Sequence, residues 1–335
     1  MDGVPLIGIT MGDPSGIGPE IIVKAFSDQS LYKSCLPVVL GDPGALALLL
    51  KGKDTPSVNT VSHPSEAKGR PGQIDLMAIS QLKEDRMIPG RPTTEGGKAM
   101  VAYILKAVEM LQQGELSAMV TCPISKALMQ EAGYTFEGHT ELLAHLTGCR
   151  DYIMMLAGDR LRVALVTIHC ALKDVPANVD EEKIYKTINI ISNALREDFG
   201  LENPRIALAA LNPHAGENGA MGREEIDIIA PAVAALQAEG HRVSGPAPAD
   251  TLFHDRARTR YDAVLCMYHD QALIPLKTLD FDRGVNITLG LPIVRTSPDH
   301  GTAFDIAGQG IASPDSLIAA IRMAADMAAR RAEAA

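Results

Sequence analysis

Short apolar runs alternate with segments of helical periodicity along almost the whole chain. Residues 6–10 and 36–40 are expected as strands, followed by helices over 19–26 and 44–50. Pro19 suits a first helical turn, where its missing N–H is not needed, and Glu20 suits the positive end of the helix dipole. Residues 51–95, rich in proline, glycine and charge, are expected to hold short strands and long connections. A long helix is expected over 95–113, then a strand over 117–121 ending at Cys122-Pro123. Further helices are expected over 141–146, 181–199, 224–239 and 314–331. Strand and helix in alternation imply an α/β fold with a mostly parallel sheet. No repeat stands out, and no linker divides the chain cleanly.

Three apolar runs end in a histidine set among polar residues. Val163-Ala164-Leu165-Val166-Thr167-Ile168 leads to His169, residues 206–211 lead into Asn212-Pro213-His214-Ala215-Gly216-Glu217, and residues 261–267 end at Tyr268-His269-Asp270-Gln271. Runs of this kind read as buried parallel strands, whose carboxyl ends are where open α/β sheets keep ligands. Three imidazoles delivered in this way suit one divalent metal with positions left open for substrate. Any one of them alone is as readily a core or surface histidine with an ordinary hydrogen bond. The repeated context favours the metal. Asp250 and Asp270 are candidates for orienting a ligand or moving a proton, against the plainer role of capping a turn. His63, His145, His241 and His254 have no such setting and are expected to be structural or surface residues.

Composition narrows the function. Of 335 residues 46% are hydrophobic and 4% aromatic, with no Trp and a formal net charge of -10. That combination disfavours stacking platforms for nucleic acid and contact with anionic membranes. No apolar run approaches the roughly 20 residues that span a bilayer. Residues 1–5 lack the basic and apolar segments of a signal peptide, and the five cysteines show no CxxC, so reduced thiols and a cytoplasmic location are expected. Cys170 and Cys266, near the expected metal, are read as small buried hydrophobes. An acidic protein must meet an anionic substrate with a local cationic pocket. Gly138-His139-Thr140-Glu141 opens a helix whose free N–H groups suit an anion, unless Thr140 is simply an N-cap. The glycine loop at 12–18 is not GxGxxG and is as readily a tight strand-to-helix turn as a phosphate loop.

The three histidine segments, the run from Gly284 through Asp299-His300-Gly301-Thr302-Ala303, and the opening Gly8-Ile9-Thr10-Met11-Gly12-Asp13-Pro14-Ser15-Gly16-Ile17-Gly18-Pro19-Glu20 resemble the 4-hydroxythreonine-4-phosphate dehydrogenase family (PdxA type). The resemblance runs from about residue 5 to about residue 325. It implies a cytoplasmic homodimer that oxidises a phosphorylated hydroxy acid with NAD and a divalent metal (zinc, cobalt or magnesium). The matching metal ligands are His169, His214 and His269, the last supplied by the other subunit. The matching substrate residues are His139, Thr140, Lys277, Asn286 and Arg295. A lysine charge and an arginine fork suit a phosphate and a carboxylate.

The opening loop and His300-Gly301-Thr302-Ala303 with Asp305 are also similar to isopropylmalate and isocitrate dehydrogenase motifs. That likeness implies an isopropylmalate-dehydrogenase-like fold: two α/β/α subdomains with an active-site cleft between them. Residues 1–135 plus 290–335 would carry the cofactor, and 136–289 the metal, substrate and dimer interface. Gly12, Asp13, His300, Gly301, Thr302 and Asp305 form the implied cofactor set, in which an acidic residue near a ribose favours NAD over NADP. The implied reaction oxidises and decarboxylates 4-phosphooxy-L-threonine to 3-amino-2-oxopropyl phosphate, in pyridoxine phosphate biosynthesis. One alternative is a paralogue acting on D-threonate or D-erythronate 4-phosphate, with Ala272, where the family often has Gly, as a candidate difference. A non-catalytic phosphometabolite-binding protein is the other, and it would need neither the histidine set nor His300-Gly301.

Overall fold

The structure is a computed structural model that describes residues 4–50 and 55–334. Most of the opening segment read for a signal peptide, and the start of the 51–95 connection, lie outside the described residues. The strands are β1 (Leu6–Thr10), β2 (Leu36–Gly41), β3 (Ser57–Val61), β4 (Gln73–Ala78), β5 (Ala118–Thr121), β6 (Ile153–Ala157), β7 (Arg162–Leu165), β8 (Arg205–Ala209), β9 (Arg242–Ala247), β10 (Ala263–Cys266), β11 (Val285–Leu289) and β12 (Arg295–Pro298). The helices are α1 (Gly18–Ala25), α2 (Pro43–Ala47), α3 (Thr94–Gln112), α4 (Lys126–Glu131), α5 (His139–Thr147), α6 (Glu181–Glu197), α7 (Ala230–Ala238), α8 (Ala249–Leu252), α9 (Asp255–Arg258), α10 (His269–Asp280) and α11 (Asp315–Ala334).

The chain divides into two compact units, one of residues up to Arg150 with Leu291–Glu333, the other of Asp151–Gly290. In the first unit the strands lie in the order β3-β4-β2-β1-β5-β12, every neighbouring pair parallel. Ile7, Ile9, Val38, Val39, Val120 and Met119 are fully buried, which is why these strands read as unbroken apolar runs. The sequence boundary at 135/136 falls instead at 150/151. Here α5 joins α3, with Gln112 Nε2 donating to the Leu146 carbonyl at 3.1 Å. His139 and Thr140 therefore sit in the first unit.

The second unit has the order β11-β6-β7-β10-β8-β9. β7, β10, β8 and β9 pair in parallel, while β6 is antiparallel to both β7 and β11. The expectation of a mostly parallel sheet thus holds for the first unit and for only part of the second. β6 and β7 form a hairpin too short for a crossover helix, closed by Gly158 N–H donating to the Leu161 carbonyl at 2.9 Å. The helix expected over 224–239 is present as a π turn over Glu225–Ile229 running into α7. Pro231 has no N–H to return to the preceding turn, and the wider turn accommodates it.

Two turn glycines separate backbone strain from crowding. Gly12 has φ +73°, and a Cβ there would lie 2.3 Å from the Pro123 carbonyl oxygen. Gly114 has the same φ of +73° with nothing within 4 Å of that position. Gly114→Ala is expected to cost about 1 kcal/mol and Gly12→Ala about 3 kcal/mol or more, measured by urea unfolding. Equal losses would show that the contact with Pro123 is not limiting.

Candidate active site

In the second unit β7 and β10 run side by side and end together, Leu165 opposite Cys266. Thr167 continues the pairing, its N–H and hydroxyl both donating to the Met267 carbonyl at 3.2 and 2.7 Å. Two residues further on, His169 emerges on the surface, and α10 begins with His269. The two rings face each other with centroids 6.1 Å apart. Asp270 Oδ1 lies 2.8 Å from His269 Nδ1, so the carboxylate favours the tautomer with the proton there and the lone pair on Nε2. The Asp270 side chain is 70% exposed, so water screens the pair and its effect is on orientation more than on energy.

These groups line a cavity of about 340 Å³ with Tyr268, Thr167 and Cys170. Cys170 is exposed, which corrects the expectation of a buried hydrophobe. Cys266 is buried as expected, and burial pushes its thiol far above the ordinary range. Gln271 has a role that its place in the sequence does not announce. Its side chain accepts from Met267 N–H at 2.7 Å and donates to the Ala210 carbonyl at 2.6 Å, tying the end of β10 to the end of β8.

From β8 the chain enters a left-handed turn. His214, Ala215, Gly216, Glu217 and Asn218 have φ of 53°, 52°, 76°, 45° and 54°. For each non-glycine residue this conformation costs about 1–2 kcal/mol. Asn212, just before the turn, donates from its main-chain N–H to Glu225 Oε1 at 2.7 Å. Its side-chain amide donates to Glu224 Oε2 and Glu225 Oε2 at 2.6 and 2.9 Å. Hydrogen bonds to charged groups are worth about 1.5–3 kcal/mol each, enough to hold a strained turn. A Cβ on Gly216 would lie 2.6 Å from Glu225 Oε2, and one on Gly222 2.4 Å from the Asn212 amide nitrogen, so both positions need glycine.

The turn exposes His214 but does not bring it to His169 and His269. Among the described residues no three His, Cys, Asp or Glu side chains form a group able to hold a metal ion. The resemblance assigned His269 to the other subunit, whereas here His269 faces His169 in one chain and His214 stands apart. Two imidazoles, one with its tautomer fixed, suit a divalent ion in donor chemistry. Asp250 is exposed on α8, which packs beside the His214 turn.

The first unit holds the anion-binding candidates His139, Thr140 and Arg295. α5 opens at His139 behind Gly138, with no side chain capping its N-terminus, so Thr140 is not the cap. His139 Nε2 is buried without a hydrogen-bond partner. Burial, then the nearby Arg295 charge, drives its pKa well below the usual histidine range, and the ring is neutral. Arg295 is buried at the start of β12, donating to Thr121 Oγ1 from Nη2 at 2.8 Å. Burial lowers its pKa to about 10, partly opposed by Glu141, so it stays charged at neutral pH. In the second unit Lys277 is half-buried on α10, and Asn286 on β11 carries a buried Oδ1 with no hydrogen-bond partner.

The two segments of the implied cofactor set meet in the first unit. Ile17 N–H donates to the Thr302 carbonyl at 3.0 Å, and a Cβ on Gly16 would lie 3.1 Å from that oxygen. Glu20, expected only to favour the helix dipole, accepts N–H bonds from Gly308, Gly310 and Ala312 at 3.2, 3.3 and 2.9 Å. It thereby ties the segment after His300 to α1. His300, Gly301 and Asp305 are exposed, while Gly12 and Asp13 are buried and shape the turn beneath. Asp13 Oδ1 accepts from Ser15 N–H at 2.9 Å, whereas Asp13 Oδ2, Ser15 Oγ and Thr10 Oγ1 are buried without partners. Burial raises the Asp13 carboxyl to about 6.

Residues 33–324 match the family described as "Pyridoxal phosphate biosynthetic protein PdxA". The 4-hydroxythreonine-4-phosphate dehydrogenase of Caulobacter vibrioides is 53% identical over 336 residues, covering 97% of this chain and 98% of its own. The protein of that name from Desulforapulum autotrophicum is 51% identical over 325 residues, covering 97% and 96%. The crystal structure of the Klebsiella pneumoniae 4-hydroxythreonine-4-phosphate dehydrogenase superposes with a TM-score of 0.88 at 42% identity, covering 97% of this chain and 98% of that one.

Asp13 makes stability depend on pH in a defined direction. The folded carboxyl holds its proton more tightly than the unfolded one, with a pKa of about 6 against 3.8. Its ionisation therefore opposes folding increasingly between those values, and the effect is constant above them. Asp13→Asn is expected to gain stability relative to the parent as pH rises from about 4 to about 7, on the order of 2 kcal/mol. Parallel melting curves at the two pH values, with no change in the difference, would contradict this.

Proposed function

The chain belongs to the PdxA family of pyridoxal phosphate biosynthetic proteins, and on that premise we propose that it oxidises the secondary alcohol of 4-phosphooxy-L-threonine. The product after loss of carbon dioxide is 3-amino-2-oxopropyl phosphate. The observation that carries the substrate class is the buried, unpartnered His139 Nε2 at an uncapped helix start, beside the buried Arg295. A neutral imidazole N–H, an arginine fork and the free N–H groups of α5 suit a phosphate dianion, and a protein of net charge -10 needs such a local site to bind one. Lys277 and the unpartnered Asn286 Oδ1 are the proposed further substrate contacts.

NAD is the proposed hydride acceptor, against the exposed His300, Gly301 and Asp305 and the half-buried Thr302. A divalent ion (zinc, cobalt or magnesium) held by His169, His269 and His214 would acidify the substrate hydroxyl and stabilise the enolate left by decarboxylation. The chain's own contributions are positional and protonic. Asp270 fixes the His269 tautomer, while Thr167 and Gln271 fix where the two strand ends point. Asp270 and Asp250, both exposed, are the proposed carboxylates for taking the hydroxyl proton. A homodimer is proposed because, among the described residues of one chain, His214 does not join His169 and His269 in one metal-binding group. A cytoplasmic location fits such a metabolic enzyme.

NADH formation by the metal-supplemented protein tests the reading, with 4-phosphooxy-L-threonine and D-erythronate 4-phosphate in parallel. The expected result is at least tenfold higher kcat/KM for the amino acid, a gap of about 1.4 kcal/mol. Preference for the sugar acid would move the enzyme to sugar-acid catabolism, and silence on both would leave a phosphometabolite-binding protein. His139→Gln is expected to raise KM for the phosphorylated substrate with a smaller change in kcat.

A further inference from the structure

We propose that Glu225 is a positioning residue for the metal centre, acting through Asn212 on the left-handed turn that carries His214. The inference rests on the reading of His214 as a metal ligand and goes beyond it to what places that ligand.

Glu225 is only 3% exposed, yet it touches none of the histidines' cavity. Both of its oxygens are used on one residue. Oε1 accepts the main-chain N–H of Asn212 and Oε2 accepts its side-chain amide, at 2.7 and 2.9 Å. The second amide hydrogen goes to Glu224 Oε2 at 2.6 Å. Carboxylates only accept, so the Asn212 amide has one possible orientation, with its nitrogen toward the two acids. Asn212 precedes His214 by two residues, and the intervening Pro213 has a nearly fixed φ. Locking Asn212 thus fixes where the turn starts.

The remaining geometry is arranged around the same carboxylate. Gly216, inside the turn, and Gly222, after it, lack the Cβ atoms that would strike Glu225 and Asn212. Glu225 opens the π turn of its helix, a local widening often found at functional sites. A helix start alone could be capped by any acidic residue. Accepting from both the main chain and the side-chain amide of the residue at the mouth of a five-residue left-handed run is a more specific arrangement. A ligand histidine on an exposed, strained turn needs such an anchor if its ring is to be in place before metal arrives.

The test uses the intact protein with Co(II), read by its visible absorption bands and by titration of metal into the metal-free form. Glu225→Gln replaces one acceptor by a donor facing Asn212. It is expected to weaken Co(II) binding about tenfold and to alter the absorption bands, while the metal-free protein still folds and melts cooperatively, at a lower temperature than the parent. Glu224→Gln, which loses a single contact, should have the smaller effect. Co(II) affinity and spectrum equal to the parent's in Glu225→Gln would overturn the proposal, as would weakening that follows only the loss of folded protein. Should Glu225→Gln fail to fold, Asn212→Ser keeps the main-chain bond, removes both amide contacts, and is judged by the same criteria. His214→Ala separates the two readings: retained Co(II) binding there removes the metal assignment itself, whereas lost binding there with an unaffected Glu225→Gln removes only the positioning role.

Discussion

Gln271 ties the ends of two parallel strands with one buried amide, and the histidine site depends on that tie. Its oxygen must face Met267 N–H and its nitrogen must face the Ala210 carbonyl, so the side chain has a single allowed orientation. Thr167 makes the matching link from the end of β7 to Met267. Each strand end would otherwise leave polar main-chain groups unpaired at the edge of an apolar core, at a cost of about 1–3 kcal/mol for each buried group. With both links made, His169 and His269 leave their strands in fixed directions and meet across one cavity. The core beneath, built on Leu165, Ala207, Val264 and Cys266, makes those directions rigid.

The other half of the histidine set is held by a different balance. The turn at His214 stores backbone strain that an ordinary surface loop would release, and the Asn212 contacts to two carboxylates are of comparable size in the opposite direction. Strain of this kind persists only where neighbouring structure over-determines it, and such positions cluster where a side chain must be aimed. The first unit uses the same logic in a buried setting. Arg295 is buried beside the half-buried His139, the arginine charged and the imidazole neutral, with the buried ring nitrogen Nε2 unsatisfied. For the proposed phosphate, Arg295 and His139 Nε2 would be donors already withdrawn from water, whose hydrogen bonds would be stronger than on a surface.

Much of this was legible in the sequence because buried parallel strands announce themselves as apolar runs. Residues 6–10, 36–40 and 117–121, and the three runs before the histidines, fall on strands for that reason. The long amphipathic helices at α3, α6 and α11 were equally plain from their periodicity. The antiparallel hairpin of β6 and β7 was missed, since a short apolar stretch such as 153–157 does not declare its pairing direction. The place of α5 in the first unit was missed because packing on α3, and not local propensity, decides it. Of the site, the histidines stood out through repeated context, whereas Gln271, Thr167, Glu20 and Glu225 did not. Their roles lie in hydrogen bonds to residues distant in sequence, which leave no local signature. The adjacent acids Glu224-Glu225 after the glycine-rich turn were the one available hint, and only the fold turns Asn212 toward them.

The central claim is that the strand ends of the second unit deliver imidazoles to a divalent cation. Anomalous diffraction from crystals of the protein loaded with Zn(II) or Co(II) measures this most directly. The account predicts a single strong site at roughly 2.0–2.1 Å from the Nε2 atoms of His169 and His269, with a His214 imidazole from the same or a second copy completing it. A peak at Cys170 or at an isolated surface histidine, with the His169–His269 pair vacant, would contradict it.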